Sequence, residues 1–379
     1  MRRRRPSRVF RATLFFIFAL VLGAMVISFF KNIFFNDSRT VSYNEPFSLP
    51  APAYTEPADM TLFEGRVEHI FFHPLIAYPE LSFDFDYQAK GFDDWFVTVD
   101  EFNKVLKSLY EKDFMLIDIN ETFSEEDGKV KKTGIMMPEG KKPLIISVDD
   151  VNYYEYMREN GVVHKLVLDE NGEVSAYTKH DDGSVSITRD NDLVPILDDF
   201  VKKHPDFSLR GAKACLGLTG YEGVLGYRTQ AESSNAADEK KEALKVVERL
   251  YNSGWAFASH SYGHHDAARI SYEKLDADCA KWKNEVESII GPTKIYIYPY
   301  GSGVPNTDPK YDLLRSYGFR VLCHVGIESY IKYHDDGVVL DRRHVDGIAF
   351  RYQREQNLDL YDANEVIDPV RPAEYQLSS

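Results

Sequence analysis

Apolar residues recur along this chain in two rhythms. Short apolar runs at residues 67–75, 114–119, 144–148, 212–218, 255–259, 295–298, 319–325 and 338–340 predict strands. Between several of them the apolar positions fall at helical spacing. Thr98 opens one such stretch, with Phe102, Val105, Leu106 and Leu109 on its apolar face, and residues 239–251, 274–290 and 310–317 predict further helices. Strand alternating with helix predicts an α/β fold built on a mainly parallel sheet, open or closed as a barrel. One segment, about residues 161–190, breaks the alternation. Its runs at 163–168, 173–178 and 185–188 are separated by Asn171-Gly172 and Asp182-Gly183, which predicts an antiparallel meander inserted into the α/β frame.

The longest apolar run has a different character. Residues 12–30 carry no charge, and about 19 residues at roughly 1.5 Å each suffice to cross a bilayer. Arg2, Arg3, Arg4, Arg5, Arg8 and Arg11 precede the run, so the positive-inside rule predicts a cytoplasmic tail at 1–11 and an exported remainder. A cleaved signal peptide is the competing reading, but no Ala-x-Ala site follows the run. A polar stretch with Pro46, Pro50, Pro52 and Pro57 then predicts an extended linker over 31–60, leaving 61–379 as the folded domain. The expected location is a single-pass cell-membrane protein with its domain outside.

Composition narrows the picture further. With 28 % charged and 44 % hydrophobic residues, the 379-residue chain has ordinary globular usage. A net charge of −15 with no long basic stretch in the body excludes a nucleic-acid partner. Cys215, Cys279 and Cys323 are odd in number and widely spaced, which points to buried small hydrophobes rather than disulfides or a thiolate metal cage.

Two strand ends carry candidate chemistry. The run 143–148 ends in Asp149-Asp150, and the run 255–259 opens into His260-Ser261-Tyr262-Gly263-His264. Acidic pairs also occur at Asp93-Asp94, Asp181-Asp182, Asp198-Asp199 and Asp335-Asp336, so pairing alone carries little. The difference is position, because α/β enzymes place functional groups at the C-terminal ends of strands. One carboxylate with two imidazoles four residues apart can hold a divalent cation with positions left open, while the second carboxylate stays available for proton transfer. His73 ends the first strand run and reads more readily as a structural histidine. Tyr153, Tyr154, Tyr156, Tyr262, Tyr298 and Tyr300 offer rings that could stack on sugars.

Over roughly residues 67–345 these motifs resemble the NodB-homology polysaccharide deacetylases, carbohydrate esterase family 4. Ser147-Val148-Asp149-Asp150-Val151 is similar to that family's Thr-Phe-Asp-Asp-Gly, His260 to His264 matches its His-Ser/Thr-x-x-His in full, and Ile297-Tyr298-Pro299-Tyr300-Gly301 matches its Arg-x-Pro-Tyr-Gly in part. The resemblance implies a NodB-like distorted (β/α) barrel. It makes Asp149 the general base, Asp150, His260 and His264 the ligands of a divalent metal (zinc first, cobalt or nickel as alternatives), and the Tyr300 amide an oxyanion donor. Ile297 stands where the family has an arginine beside the catalytic aspartate, a role that would pass to Arg342 or Arg343. Val151 replaces the usual glycine. His324, in Leu322-Cys323-His324, resembles the family's Leu-x-His and is a candidate general acid, with His344 the competitor.

The expected activity is removal of acetyl groups from N- or O-acetylated sugars of a cell-envelope or extracellular polysaccharide, with peptidoglycan the first substrate. The main alternative is a carbohydrate-binding or scaffold protein that keeps the fold without turnover. A metal phosphoesterase has less support, since no second cluster of acids and histidines supplies another ion.

Overall fold

A computed structural model of the chain describes Pro57 and residues 59–372, all within one unit, Tyr43–Ser379. The predicted span at 12–30 and nearly all of the predicted linker lie outside the described residues. Among the described residues no helix is long and apolar enough to cross a membrane.

Seven strands carry the frame: β1 (Glu68–Phe72), β2 (Lys142–Val148), β3 (Ala214–Leu218), β4 (Ala256–Ser259), β5 (Ile295–Ile297), β6 (Val321–Val325) and β7 (Gly337–His344). Each pairs in parallel with the next along the chain. The ring closes where Arg343 and His344 of β7 pair with Ile70 and Phe71 of β1. The sheet is therefore a closed barrel rather than an open one. It is distorted at β2, whose first residues, Lys142 to Leu144, pair with a short strand at Phe114–Leu116, while β3 takes over at Ile146.

Alternation along the strands divides the apolar residues into two cores. Ile145, Cys215, Ala258, Ile297, Cys323 and Leu340 point into the barrel. Ile70, Ile146, Leu216, Phe257, Tyr296 and Leu322 point outward, against helices such as Val99–Glu111 and Ala236–Asn252. The first of these helices begins where its sequence predicts. The Thr98 hydroxyl accepts from the Glu101 amide and the Glu101 carboxylate accepts from the Thr98 amide, a reciprocal cap worth about 1 kcal/mol.

Some elements differ from expectation. The helix expected over 274–290 is α-helical at Tyr272–Trp282, widens to a π turn at Lys283–Glu287, and ends as Ser288–Ile290. A hairpin, Phe123–Glu126 with Lys129–Lys132, turns through Asp127 and Gly128, both at positive φ. Its Phe123 and Val130, with Ile135 and Met137, join the interior core at the N-terminal end of the barrel. The predicted meander is present as Lys165–Leu168, Val174–Lys179 and Val185–Thr188, all antiparallel. The strand expected at 338–340 runs on through Arg342 and Arg343 to His344.

Candidate active site

The C-terminal ends of the strands gather the charged side chains. The Asp149 amide donates to Phe72 O at 2.9 Å, which keeps β1 and β2 in register one residue past β2, so Asp149 points inward. Asp150 then turns at φ 59, a left-handed conformation that costs a non-glycine residue about 1 kcal/mol or more. That turn sends the second carboxylate toward β4. Val151 is not itself left-handed, so the glycine expected there is not needed.

His260 follows β4 directly, and its Nδ1 lies 2.9 Å from Ile297 O. A carbonyl can only accept, so Nδ1 carries the proton and the Nε2 lone pair is free. That Nε2 lies 3.8 Å from Asp150 Oδ1, and His264 Nε2 lies 3.6 Å from Asp150 Oδ2. The donor atoms of Asp150, His260 and His264 all fall within 4.8 Å of one another. Three ligands at about 2.0–2.2 Å from a tetrahedral ion stand roughly 3.4 Å apart, so the cluster fits a zinc-sized cation after small adjustments. Asp150 is steadied from behind by Tyr154, whose hydroxyl donates to Oδ1 at 2.6 Å and also lies 2.7 Å from Thr219 Oγ1. Burial alone would raise the Asp150 carboxyl, but His264, His260, His73 and Tyr154 together hold it below the usual carboxylate range.

Asp149 has a different partner. Arg342 donates to it through two nitrogens, at 2.7 and 3.0 Å, and also to Ser147 Oγ at 3.0 Å and His324 O at 3.1 Å. Burial pushes the Asp149 carboxyl up, yet the charge and hydrogen bonds of the Arg342 guanidinium outweigh it and keep the group ionised. Arg343, one residue on, faces the opposite side of β7 and donates to Glu68, Asn357 and Asp359. Of the two arginines named from the sequence, Arg342 is the one on Asp149; strand alternation places Arg343 outside the barrel.

The two candidate general acids differ in where they face. His324 shares the outward face of β6 with Leu322, its ring 4.8 Å from that of Tyr298, and burial pulls its pKa down to about 4. No hydrogen bond or ion pair among the described residues links it to Asp149 or Asp150. His344 lies at the mouth, its Nδ1 2.9 Å from Asp346 Oδ2 and its ring packed on Phe71 and Trp95. His73 faces the Asp150 cluster directly. Its Nδ1 donates to Trp95 O at 2.9 Å, which leaves Nε2 4.0 Å from Asp150 Oδ2. It has the same parity on the strand as His69 and Phe71, and that parity was the available signal.

Tyr300 turns at φ 60 just beyond β5, 71 % exposed, with its ring 4.7 Å from that of His264. Of the tyrosines named as sugar platforms, Tyr153, Tyr154, Tyr262 and Tyr298 are buried, whereas Tyr156 and Tyr300 are open to solvent. Tyr221, not singled out from the sequence, stacks on Tyr154 at 4.9 Å and presents its other face.

Residues 229–322, which include His260, His264 and Tyr300, match the family model for polysaccharide deacetylase. The chain thus resembles the polysaccharide deacetylases. Solved structures with a similar chain path include a Bacillus cereus polysaccharide deacetylase, at 16 % identity and TM-score 0.42 over 79 % of this chain and 70 % of that one. A de-N-acetylase from Aggregatibacter actinomycetemcomitans is 13 % identical, with TM-score 0.44 over 75 % of this chain and 96 % of its own. A Streptococcus pyogenes deacetylase in complex with acetate is 12 % identical, with TM-score 0.38 over 76 % and 94 %. No curated protein matches the sequence. Asp149, Asp150, Arg342 and His73 lie outside the segment that matches the deacetylase family model and join its histidines only through the fold.

Proposed function

We propose that the protein is a metal-dependent deacetylase that hydrolyses acetyl groups from N- or O-acetylated sugars of a cell-envelope or extracellular polysaccharide, with peptidoglycan as the first substrate. One observation carries the reading: the convergence of Asp150, His260 and His264 beside an Asp149 already held by a buried arginine. A divalent cation held by those three residues, with zinc the first choice, would act as a Lewis acid toward the acetyl carbonyl and a water molecule.

The chain's own groups supply the rest. Asp149, kept ionised and oriented by the two Arg342 bonds, accepts the proton from the attacking water. Negative charge developing on the carbonyl oxygen is met by the backbone amide of Tyr300. His73, its Nδ1–H tied to Trp95 O, delivers a proton from Nε2 to the departing amine or alcohol. Ile297 lacks the charge of the arginine it replaces, and the charge that Arg342 brings to Asp149 from β7 supports turnover over a protein that only binds.

The uncharged run at 12–30 supports an anchored enzyme whose substrates surround its own cell, with residues 1–11 cytoplasmic. The test is product analysis: purified protein with Zn²⁺ or Co²⁺ is incubated with chitooligosaccharides and peptidoglycan, and acetate is measured. Release that disappears in Asp149→Asn supports the reading. Metal binding without acetate from any acetylated glycan would leave a binding protein.

A further inference from the structure

The loop that presents the two histidines is bent sharply, and something must hold it so. Ser261 sits at φ 61 and His264 at φ 51, so two side-chain-bearing residues are left-handed within four positions. Each such residue is costly without outside contacts to fix it. Ser261 is fully buried and Tyr262 nearly so, which makes their backbone groups dependent on partners within the protein. The Tyr262 carbonyl accepts from the amides of Gly220 and Tyr221. The two amides at the apex, those of Tyr262 and Gly263, point the other way.

Both end on a single side chain. Asp278, on the helix Tyr272–Trp282, accepts from Tyr262 N at 2.8 Å through Oδ2 and from Gly263 N at 2.9 Å through Oδ1. Asp278 is itself buried, 7 % exposed. The helix is fixed against the barrel four residues later, where Trp282 donates to Leu218 O at 2.8 Å, the same carbonyl that receives the His260 amide. One carboxylate therefore ties the bend between the two imidazoles to a helix anchored on β3, the neighbour of the strand from which His260 emerges.

We propose that Asp278 is the positioning residue of the metal centre: by receiving two consecutive amides it sets the separation of His260 and His264 Nε2. This rests on the metal reading of the site. Only a carboxylate offers two acceptor oxygens at this spacing. In Asp278→Asn an NH2 group faces one of the two N–H groups, leaving a buried donor unpaired and releasing one side of the bend. Outer contacts of this kind are worth roughly 10- to 100-fold in metal affinity.

The experiment measures Zn²⁺ affinity by chelator competition and records the visible spectrum of the Co²⁺ form for wild type, Asp278→Asn and Tyr317→Phe. The last variant removes a 2.6 Å bond to Asp276 on the same helix without touching the loop. Asp278→Asn should bind zinc at least tenfold more weakly, with altered cobalt bands, while Tyr317→Phe keeps both. Wild-type affinity and spectrum in a folded Asp278→Asn protein would overturn the proposal. Should that variant not fold, hydrogen exchange of the wild type decides: Tyr262 and Gly263 amides that exchange like exposed loop also overturn it, and strong protection upholds it. A wild type that binds no metal sinks the metal reading itself, whereas a metal-binding wild type matched by Asp278→Asn sinks only the role of Asp278.

Discussion

Replacing Arg342 with methionine isolates the electrostatics of the site. In wild type the guanidinium and the Asp149 carboxylate are both buried and joined by two bonds, so removing the cation leaves a buried anion. Breaking a buried pair from one side typically costs about 3–5 kcal/mol. A second route limits the loss, because the stranded carboxylate can take up a proton. Neutralising a carboxylate from its ordinary pKa requires roughly 4 kcal/mol at pH 7 but under about 2 kcal/mol at pH 5. The two figures agree at neutral pH and diverge below it. In wild type the Asp149 pKa is depressed, so its contribution is present above the unfolded-state value and is lost only as pH falls through the lower folded value. Over pH 5 to 7 that contribution is constant, and the deficit of Arg342→Met should grow with pH. Urea unfolding in chelator, for wild type, Arg342→Met, Asp149→Asn and the double variant, measures this directly. The double variant should recover most of the loss, since it removes the buried charge. A single-variant deficit below about 1 kcal/mol at pH 7, or additive effects in the cycle, would refute the reasoning.

Other perturbations test neighbouring steps. His73→Gln should lower kcat roughly 100-fold while leaving KM close to wild type; a wild-type kcat would remove His73 from proton delivery. Tyr221→Ala takes away an exposed ring stacked on Tyr154, and KM for an oligosaccharide should rise roughly three- to tenfold with kcat retained, an outcome read from steady-state kinetics. Asp192 is buried, accepting from Val194 N at 2.9 Å and from the Tyr153 hydroxyl at 3.1 Å, and burial pushes its pKa up to about 6. Its folded form holds a proton more tightly than the unfolded chain, so stability should fall by about 3 kcal/mol as pH rises from the ordinary carboxylate range through that value. Asp192→Asn should flatten the slope, and unfolding midpoints that still fall between about pH 4 and 6.5 would contradict this.

The frame was legible because its signals are local. Leu144 to Ile146 and Ala214 to Leu218 are apolar on both faces, as strands sandwiched between an interior and a helical layer must be. The Asp150, His260 and His264 set was legible because a strand end and a four-residue spacing are visible without knowing the fold. The end of β7 was not. Asp341-Arg342-Arg343-His344 reads as polar, yet both arginines are buried, one on Asp149 inside the barrel and one on Glu68 and Asp359 outside. What buries them lies about 190 and 275 residues away in sequence for Asp149 and Glu68, beyond any local pattern. His73 reads more readily as structural for the same reason: nothing near it in sequence shows that Asp150 faces its Nε2.

Closure of the barrel also explains how the site tolerates Ile297. In an open sheet, a charge lost from one strand can be replaced only by a neighbour. In a ring of seven, inward side chains beyond the last hydrogen-bonded layer approach a common axis, so the site can draw charge from many directions. Asp149 comes from β2 and Arg342 from β7, with β1 between them, and the guanidinium crosses over the Phe71 ring at 4.3 Å to reach the carboxylate. On β5 the backbone is still needed, because the Ile297 carbonyl fixes the tautomer of His260, but the side chain is free to be apolar and complete the interior core. What the proposed chemistry would constrain is therefore a charge at a point in space and a carbonyl at a point on a strand. This chain meets the two demands with residues from different strands.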